Sequence, residues 1–362
     1  MITDAMIKRI KIQGSYTGRR VSCPYCGHVC KVTLVTHLRR CHPSEWEEWT
    51  DKFIKLYNET NDVKRVMRVF SNNEGQPILS WTVIEREVHR KFETEGAKIR
   101  FLGKDSSFRF EPTTEEYPRF ATTVWDVPRR GTWAVHQPTY RGNWAPQIPR
   151  ALIEMYSKPG DQILDPFVGG GTTLLEAWLL GRHALGFDIS QFALQMSRAR
   201  LRELQERVSR EGLFGLPDVR IEVRRGDARV LDGVDKDSID MICTHPPYGA
   251  ALQYSHDDPA DLSLIPDPHK FLKELTVTGR RFFEVLRPGS RCAVLIGDLR
   301  RDGKLHALGF GVFRGFCEIG FDAEEVIIKT QNHERSTEFY FYDDSIKLRL
   351  AHEYLFVFRR PA

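Results

Sequence analysis

Apolar residues between positions 162 and 248 fall in short runs, and each run ends in a polar or glycine-rich turn. Residues 174–180 have the apolar spacing of a helix, which Gly181 ends. The short runs predict strands at Ile163-Leu164, His183–Phe187, Ile221–Val223 and Ile239–Cys243. Strands that alternate with helices in this way predict an α/β fold with a mostly parallel sheet.

Acidic residues and glycines follow these predicted strands. The first strand leads into Asp165-Pro166-Phe167-Val168-Gly169-Gly170-Gly171-Thr172, the second ends in Asp188, and the third leads into Gly226-Asp227-Ala228. Glycine after a strand lets the backbone approach a ligand closely, and the next helix offers free N–H groups. An acidic residue at the tip of the following strand commonly binds ribose hydroxyls. The pattern therefore predicts a nucleoside-binding crevice at the carboxyl edge of the sheet.

The fourth strand leads into Thr244-His245-Pro246-Pro247-Tyr248. The order Asp-Pro-Phe-x-Gly-x-Gly, Asp188, Gly-Asp-Ala and x-Pro-Pro-Tyr resembles the amino-group (N4-cytosine and N6-adenine) S-adenosylmethionine-dependent DNA methyltransferases. The resemblance extends over residues 117–362: Val135–Pro149 is similar to the family's cofactor-cradling segment, and His352–Arg360 is similar to its closing strand. It implies a Rossmann-like class I methyltransferase domain, with a mostly parallel sheet flanked by helices.

The resemblance also implies where S-adenosyl-L-methionine binds. The loop 132–149 would wrap its methionine end, Asp188 would hold the ribose hydroxyls and Asp227 would meet the adenine. The implied cofactor-binding residues are Arg141, Gly142, Asn143, Asp165, Phe167, Gly169, Gly171, Thr172, Asp188, Asp227 and Ala228.

Catalysis is implied at the turn formed by His245, Pro246, Pro247 and Tyr248. An aromatic amine is a poor nucleophile, so the base is taken out of its duplex and held in line with the sulfonium methyl group. In the family, the side chain at the first position and the carbonyl of the first proline accept hydrogen bonds from the amine, and the tyrosine stacks on the base. His245 stands where Asp, Asn or Ser is usual. A neutral imidazole (ordinary pKa about 6.5) accepts one hydrogen bond and an imidazolium accepts none, which leaves open an altered substrate, an acid-sensitive activity or loss of catalysis.

Thr244 is similar to the Thr-Ser-Pro-Pro-Tyr form of cytosine-N4 enzymes, which favours N4 of cytosine in DNA as the target. The family also makes a partner restriction endonuclease an expectation. N6 of adenine in DNA is one alternative. Methylation of rRNA or tRNA is another, because Pro-Pro-Tyr-Gly after Gly-Asp-Ala is also similar to guanine-N2 tRNA enzymes. A catalytically silent, zinc-dependent nucleic-acid-binding protein is the third, and His245 is its only support.

Four of the seven cysteines (Cys23, Cys26, Cys30 and Cys41) lie within nineteen residues. In a cytosolic chain this spacing indicates a metal site rather than disulfides. His37 and either Cys41 or His42 lie about one turn apart on a short predicted helix, as in a zinc finger. We favour Zn²⁺ bound by Cys23, Cys26, His37 and His42, with Cys41 as the competitor for the fourth position and Cys30 and His28 as weaker candidates.

Charge is concentrated at the amino-terminal end. Residues 1–44 contain eight basic residues and one acidic residue, against a net charge of +4 for the whole chain. Such an end is an electrostatic footprint for nucleic-acid phosphate or a solvated basic tail. No apolar run approaches the about 18–20 residues of a membrane span, and no leader-like segment opens the chain. We expect a cytoplasmic protein that has DNA or RNA as its partner and no membrane; its oligomeric state is unknown from the sequence.

Three domains follow: 1–45, a zinc-finger-like basic module; 46–116, a mostly helical region and linker; and 117–362, the methyltransferase domain. Three apolar stripes in residues 53–88 predict three short helices, the first capped by Ser44. They suit either a helix-turn-helix-like module or a plain packing subdomain. The polar loop 330–337 is a candidate nucleic-acid contact or an exposed hairpin.

Overall fold

A computed structural model describes the chain with the following residues left out: 1–3, 9, 11, 14–19, 31–33, 61–62, 75–77, 80–82, 85–86, 89, 92–108, 110, 118–119, 141, 211–214, 250–253, 255–257, 302–303, 332–347 and 349. The described residues fall into two compact units. One lies within Met1–Lys104, and the other lies within Asp105–Thr337 and Leu348–Ala362. The loop 330–337, a candidate nucleic-acid contact or an exposed hairpin, lies outside the described residues beyond Gln331. The predicted domain boundaries stay predictions.

Short strands and helices make up the first unit. Its sheet has the order β1-β2-β3 and is antiparallel throughout. The elements are α1 (Asp4–Lys8), β1 (Ile12–Gln13), β2 (Arg20–Ser22), β3 (Val29–Cys30), α2 (Leu34–Cys41), α3 (Pro43–Thr60) and α4 (Val63–Val69). The helices predicted from the first two apolar stripes are present as α3 and α4, whereas the third stripe lies partly outside the described residues.

The start of α3 differs from the prediction. The helix begins at Pro43, one residue before the predicted cap Ser44. Proline suits the first helical position because its fixed φ is helical and its missing N–H would have had no partner there. The Ser44 hydroxyl instead donates to the carboxylate of Glu45 at 2.8 Å.

Aromatic side chains form the core of the first unit. Trp49, Phe53 and Phe70 are fully buried, and the rings of Phe53 and Phe70 meet edge to face at 4.6 Å. The indole N–H of Trp49 donates to the hydroxyl of Tyr25 at 3.0 Å. Since Tyr25 lies between Cys23 and Cys26, this bond ties the cysteine turn to α3.

The second unit is built on an eight-stranded sheet with the order β4-β12-β13-β9-β8-β5-β6-β7. Its elements are β4 (Val124–Trp125), α5 (Gln147–Tyr156), β5 (Gln162–Asp165), α6 (Thr172–Leu179), β6 (His183–Asp188), α7 (Gln191–Arg210), β7 (Ile221–Arg225), β8 (Ile239–Thr244), a 3₁₀ turn (Leu262–Leu264), α8 (Pro268–Val285), β9 (Leu286–Ile296), β10 (Leu299–Arg301), β11 (Lys304–His306), α9 (Leu308–Ile319), β12 (Asp322–Thr330) and β13 (His352–Arg359). The predicted strands and helices of this domain are confirmed. β10 and β11 form a separate hairpin.

β13 runs antiparallel to both of its neighbours, and every other pairing in this sheet is parallel. The chain adds β6 and β7 on one side of β5, and β8 and β9 on the other. In a parallel sheet, such a reversal of strand order opens a crevice beyond the carboxyl ends of the strands. The predicted Rossmann-like α/β fold is therefore correct, and its topology puts the crevice between β5 and β8.

Both faces of the sheet are covered, so its central strands are continuously apolar. Leu164 and Ile163 on β5 are fully buried and belong to the cores on opposite faces. Trp125, Trp133 and Trp144 are buried as well. In the described part of the chain, no helix combines the length and apolarity needed to cross a membrane.

Candidate active site

A pocket lies at the carboxyl ends of β5 and β6, and most of the predicted site residues line it. These are Gly142, Asn143, Asp165, Phe167, Gly169, Asp188, Asp227, Ala228, His245 and Pro247. Gly171, Thr172, Pro246 and Tyr248 do not line the pocket, and Arg141 lies outside the described residues. Tyr140 and Trp144, from the predicted cradle segment, also line it, as do Tyr254 and Asp261, which the sequence did not assign to the cofactor. The roles of all these residues stay predictions.

Asp165, the last residue of β5, links the glycine-rich loop to the His-Pro-Pro-Tyr turn. Its carboxylate accepts hydrogen bonds from the Thr244 hydroxyl at 2.7 Å and from the Phe167 N–H at 3.1 Å. The Thr173 hydroxyl also donates to it. Burial raises the pKa of Asp165 to about 6, although these three hydrogen bonds oppose the shift. A largely ionised carboxylate is thus held at neutral pH in a place that disfavours its charge.

Asp188 holds the glycine-rich loop from the end of β6. Its two oxygens accept from the backbone N–H groups of Gly169 at 2.9 Å and Ser190 at 3.0 Å. Burial raises the pKa of Asp188 to about 7, against the effect of these two hydrogen bonds. A carboxylate has about four lone-pair sites. Asp188 can therefore accept further hydrogen bonds from a ligand in the pocket.

The glycine-rich loop passes close to side chains that leave no room for a larger residue. Gly169 has φ +47°, and a Cβ there would lie 2.9 Å from the ring of Tyr140. Gly171 has φ +80° and precedes the first turn of α6. The free N–H groups at the start of α6 therefore face the carboxyl edge of the sheet, as the sequence predicts.

Asp227 lines the pocket after β7, but its carboxylate already has a partner. Arg229 contacts both oxygens: its Nε lies 3.0 Å from each, and its Nη2 lies 2.7 Å from Oδ2. It also pairs with Glu274 at 2.5 Å. The predicted contact between Asp227 and the cofactor's adenine stays a prediction. This arginine clamp fixes the position of the carboxylate.

The cradle segment 132–149 is held from behind by two arginines. Arg200 is 1% exposed and donates to the carbonyls of Gly170 at 2.6 Å and Gln137 at 3.0 Å. With its amide nitrogen toward Thr172 Oγ1 at 2.5 Å, Asn143 accepts from Arg130 at 2.9 Å and from Arg200 at 3.3 Å. This orientation satisfies all the groups around the amide and accounts for the position of Thr172 behind the pocket.

Glu176 anchors the same segment to α6. Its fully buried carboxylate accepts from the Trp133 indole at 2.9 Å and from Arg150 at 3.1 Å, and it contacts His136 Nε2 at 2.5 Å. Periodicity assigns Glu176 only to a helix. Its role depends on three residues that are distant in sequence, so no local pattern could have identified it.

His245 lies at the centre of the turn after β8. Its Nε2 is 2.7 Å from the Tyr248 hydroxyl, and its ring lies near that of Trp144, with centroids 5.7 Å apart. Nδ1 is buried and makes no hydrogen bond of good geometry among the described residues, although the Gly142 backbone acts on the ring as a weak hydrogen-bond acceptor. Burial lowers the pKa of His245 to about 4; Lys329 acts in the same direction, and Glu353 and the Gly142 backbone oppose it. The imidazole is therefore neutral at neutral pH.

Tyr248 and Pro246 contribute to the turn from outside the pocket. The ring of Tyr248 packs so closely on Gly297 that a Cβ there would lie 2.7 Å from it. The Tyr248 hydroxyl is also 2.6 Å from Glu353. Stacking of Tyr248 on a base stays a prediction. Pro246 is buried, and Cys243, at the end of the predicted strand before the turn, is fully buried.

The first unit holds a candidate metal site. One ligand atom from each of Cys23, Cys26, His37 and His42 lies within 4.8 Å of the others. Cys26 Sγ and His37 Nε2 are 3.3 Å apart, and the Cys23–Gly27 turn closes through a 3.0 Å backbone hydrogen bond. Two thiols and two imidazoles at this separation fit tetrahedral Zn²⁺. Cys41, the predicted competitor, is exposed and is not in this group, nor are Cys30 and His28.

The basic residues of α2 differ in their availability. Arg39 pairs with the buried carboxylate of Glu87, whereas Arg40 is exposed. Of these two arginines, Arg40 is therefore the one that presents a charge to solvent. A pair that forms between positions so far apart gives no signal in the sequence.

Comparison with known proteins places the motifs in a family. Residues 43–199 match a DNA methylase family model, and residues 139–281 match the methyltransferase domain of RMKL-like proteins. A tRNA (guanine(10)-N2)-dimethyltransferase of Methanothermobacter thermautotrophicus is 37% identical over 111 residues, which are 30% of this chain and 29% of that protein. The type II methyltransferase M.MjaI of Methanocaldococcus jannaschii is 34% identical over 100 residues, 27% of this chain and 32% of that protein.

A solved S-adenosylmethionine-dependent methyltransferase from Methanosarcina mazei is similar with a TM-score of 0.40 and 17% identity, over 58% of this chain and 97% of that one. The matched segments span about a third of the length of the curated relatives. Both family models include the glycine-rich loop and Asp188, and the second also includes Asp227 and His245. Over the residues that the two family models match, the chain is similar to S-adenosylmethionine-dependent amino-methyltransferases.

Proposed function

We propose that this protein transfers a methyl group from S-adenosylmethionine to an exocyclic amine of a nucleic-acid base, with N4 of cytosine in DNA as the favoured target. One observation carries the proposal: a neutral histidine at the first position of the Pro-Pro-Tyr turn lines the same pocket as the acidic, glycine-rich crevice. The type II methyltransferases among the relatives support DNA as the substrate and a restriction endonuclease as a partner.

The pocket suits a cationic ligand that carries hydroxyl groups. Asp165 and Asp188 are held at the crevice despite the cost of burying their charge, and a sulfonium cation would offset that cost. We assign the ribose hydroxyls to Asp188 and the methionine end to Gly142 and Asn143. When bound, S-adenosylmethionine supplies the electrophilic methyl group.

His245 acts in this proposal as a hydrogen-bond acceptor for the amine. Because burial lowers its pKa to about 4, the ring is neutral and retains a lone pair at physiological pH. The amine's lone pair forms the N–C bond as the methyl–sulfur bond breaks, and the bond's electron pair stays on sulfur. The surplus proton leaves the methylated nitrogen for solvent. A hydrogen bond to the amine favours the tetrahedral geometry that this attack requires.

Methylation of a guanine amine in tRNA is the second candidate. Three of the curated relatives are tRNA (guanine(10)-N2)-dimethyltransferases, including the one that is 37% identical. The crevice and the turn serve either substrate, because both reactions use an exocyclic amine. The substrate must therefore be determined by experiment.

We also propose that Cys23, Cys26, His37 and His42 bind one Zn²⁺. Four nitrogen and sulfur ligands with no open position would make this a structural site. The exposed Arg40 beside it would contact nucleic-acid phosphate.

The substrate assay uses labelled S-adenosylmethionine with unmethylated genomic DNA and, separately, with unmodified tRNA and rRNA. Digestion to nucleosides and mass spectrometry then identify the product. We expect N4-methylcytosine in DNA. N6-methyladenine would contradict the cytosine target, and N2-methylguanine in tRNA alone would establish the second candidate. Absence of label from all three substrates, with the cofactor bound, would support the catalytically silent alternative.

Replacement of His245 tests its role. We expect His245→Ala to lower kcat about 10²–10⁴-fold, because the amine loses its acceptor. The dissociation constant for S-adenosylhomocysteine, measured by calorimetry, should change by less than about threefold, since Asp165 and Asp188 are unaltered. Full activity of His245→Ala would remove this residue from the mechanism.

A further inference from the structure

A chain of polar contacts connects His245 to two residues on the far strands of the sheet. His245 Nε2 is 2.7 Å from the Tyr248 hydroxyl, and that hydroxyl is 2.6 Å from Glu353 Oε1. The other oxygen of Glu353 accepts from Lys329 Nζ at 2.8 Å. Glu353 is 7% exposed, on β13, and Lys329 pairs with it from β12.

Tyr248 has only one proton to share between two acceptors. Its hydroxyl hydrogen can point to Glu353 or to His245, but not to both. Although burial raises the pKa of Glu353, its contacts with Lys329, His245 and Tyr248 bring it below the ordinary value, so the carboxylate is ionised at neutral pH. Hydrogen bonds to an ionised acceptor are about twice as strong as those between neutral groups. The Tyr248 proton therefore points to Glu353.

This direction determines which nitrogen of His245 carries its proton. Once Tyr248 donates to Glu353, its oxygen can only accept from the imidazole, and Nε2 must be protonated. In a neutral ring, Nδ1 then carries the lone pair. Nδ1 is the buried ring atom that makes no hydrogen bond of good geometry among the described residues.

We infer that Glu353, paired with Lys329, is a positioning residue that acts through Tyr248 to hold His245 in the Nε2–H form and so leaves Nδ1 as the acceptor for the substrate amine. The inference rests on the proposed function for the identity of that donor. It also explains how histidine can stand where Asp, Asn or Ser is usual. Those side chains offer an acceptor oxygen directly, whereas an imidazole does so only in the correct tautomer.

Glu353→Gln tests the inference because it keeps the shape of the side chain but reverses the direction of its hydrogen bond with Tyr248. The side-chain amide that this substitution introduces would turn its oxygen to Lys329 and its NH₂ to the Tyr248 oxygen. Tyr248 would then donate to Nε2, and the imidazole proton would move to Nδ1. We expect kcat to fall about 10²-fold, while KM for the cofactor changes by less than about threefold.

Nitrogen-15 NMR of histidine-labelled protein measures the tautomer directly. The His245 signals are identified by their absence in His245→Asn. We expect the Nε2–H pattern in the unsubstituted protein and the Nδ1–H pattern in Glu353→Gln. Tyr248→Phe keeps the ring and removes the hydroxyl, so it should abolish the Nε2–H preference.

The matched control is Asp322→Asn. Asp322 pairs with Arg359 at 3.2 Å between the same two strands, in an exposed position at their other end. It should change neither the tautomer nor kcat.

An Nδ1–H pattern in the unsubstituted protein, as a hydrogen bond to the Gly142 backbone would produce, overturns the inference even if methylation occurs. Likewise, an unchanged kcat in Glu353→Gln alongside a reversed tautomer overturns the positioning role. If no substrate is methylated but the tautomers are as expected, the proposed function fails and the proton arrangement stands.

Discussion

At the scale of single residues, burial moves the titratable groups of the pocket in directions that suit different tasks. It raises the pKa of Asp165 to about 6 and of Asp188 to about 7, and it lowers that of His245 to about 4. All three shifts have the same cause, because burial disfavours the charged form of each group. The two aspartates should therefore titrate near neutrality, whereas His245 should stay neutral through the same range.

The difference between these pKa values predicts that kcat/KM and kcat depend differently on pH. Below about pH 7 the aspartates of the free enzyme take up protons and lose the charge that attracts a sulfonium, so kcat/KM for S-adenosylmethionine should fall between about pH 7 and 5.5. With saturating cofactor, kcat should fall less, because bound cation holds the carboxylates ionised and His245 is still neutral. Initial-rate kinetics over this range would check both.

His245→Asn provides the comparison, because it should keep the acid limb of kcat/KM at the same pH. If that limb disappears in the variant, or if kcat shows an inflection near about pH 6.5, an ordinary histidine rather than the aspartates controls the profile.

At the scale of elements, the turn before α6 depends on a glycine conformation. Gly171 has φ +80°, and a Cβ there would lie 3.2 Å from the Ser197 backbone on α7. Gly160 has a similar φ of +88° with nothing within 4 Å of such a Cβ. The two glycines therefore separate the cost of the backbone conformation from the cost of a close contact.

We expect Gly160→Ala to lower the free energy of unfolding by about 1–2 kcal/mol, the cost of a left-handed residue with a Cβ. Gly171→Ala should lower it by about 2–5 kcal/mol, because α6 and α7 must also move apart. Urea denaturation of both variants would measure this. Equal losses of unfolding free energy in the two variants would mean that α6 and α7 can move apart without a cost in stability.

The sequence predicts those elements whose causes are local. Local signals mark the strand Gln162–Asp165 and the helix that follows it. These signals are the spacing of the apolar residues and the glycines nearby. Asp188 could be predicted as a site residue because acidic strand tips recur at such crevices. The site along β5 and β6 was therefore within reach of the pattern.

Other parts of the site depend on strand register between distant segments. Glu353 meets Tyr248 across 105 positions, and Lys329 is opposite Glu353 only because β12 and β13 pair in one particular register. In the sequence, Glu353 is the one acidic residue of a strand whose remaining residues are mostly apolar or aromatic. The two-residue strand Val124–Trp125 was likewise too short for a period to be recognised.

At the scale of the whole molecule, the metal ligands and the cofactor pocket belong to different compact units. We expect one zinc per chain by elemental analysis. A strong chelator should lower the melting temperature of the first unit, because its short strands have little core of their own. Binding of S-adenosylhomocysteine should remain within about twofold, since its residues are in the second unit.

The choice of fourth ligand provides the control. Cys41→Ser should retain the zinc, and His42→Ala should lose it, because His42 and not Cys41 lies with the other three ligand atoms. The opposite result would assign the position to Cys41.

The antiparallel strand β13 also has a consequence for synthesis. It is the last strand of the sheet in chain order, yet it lies between β9 and β12, and β4 joins the sheet only through β12. A nascent chain that has emerged only as far as β12 can pair β5 to β9, but β12 and β4 have no place to dock. Glu353 emerges with the missing strand. The contacts of Tyr248 with Glu353 can therefore form only after β13 has paired, whereas the strands that carry the crevice can pair before it.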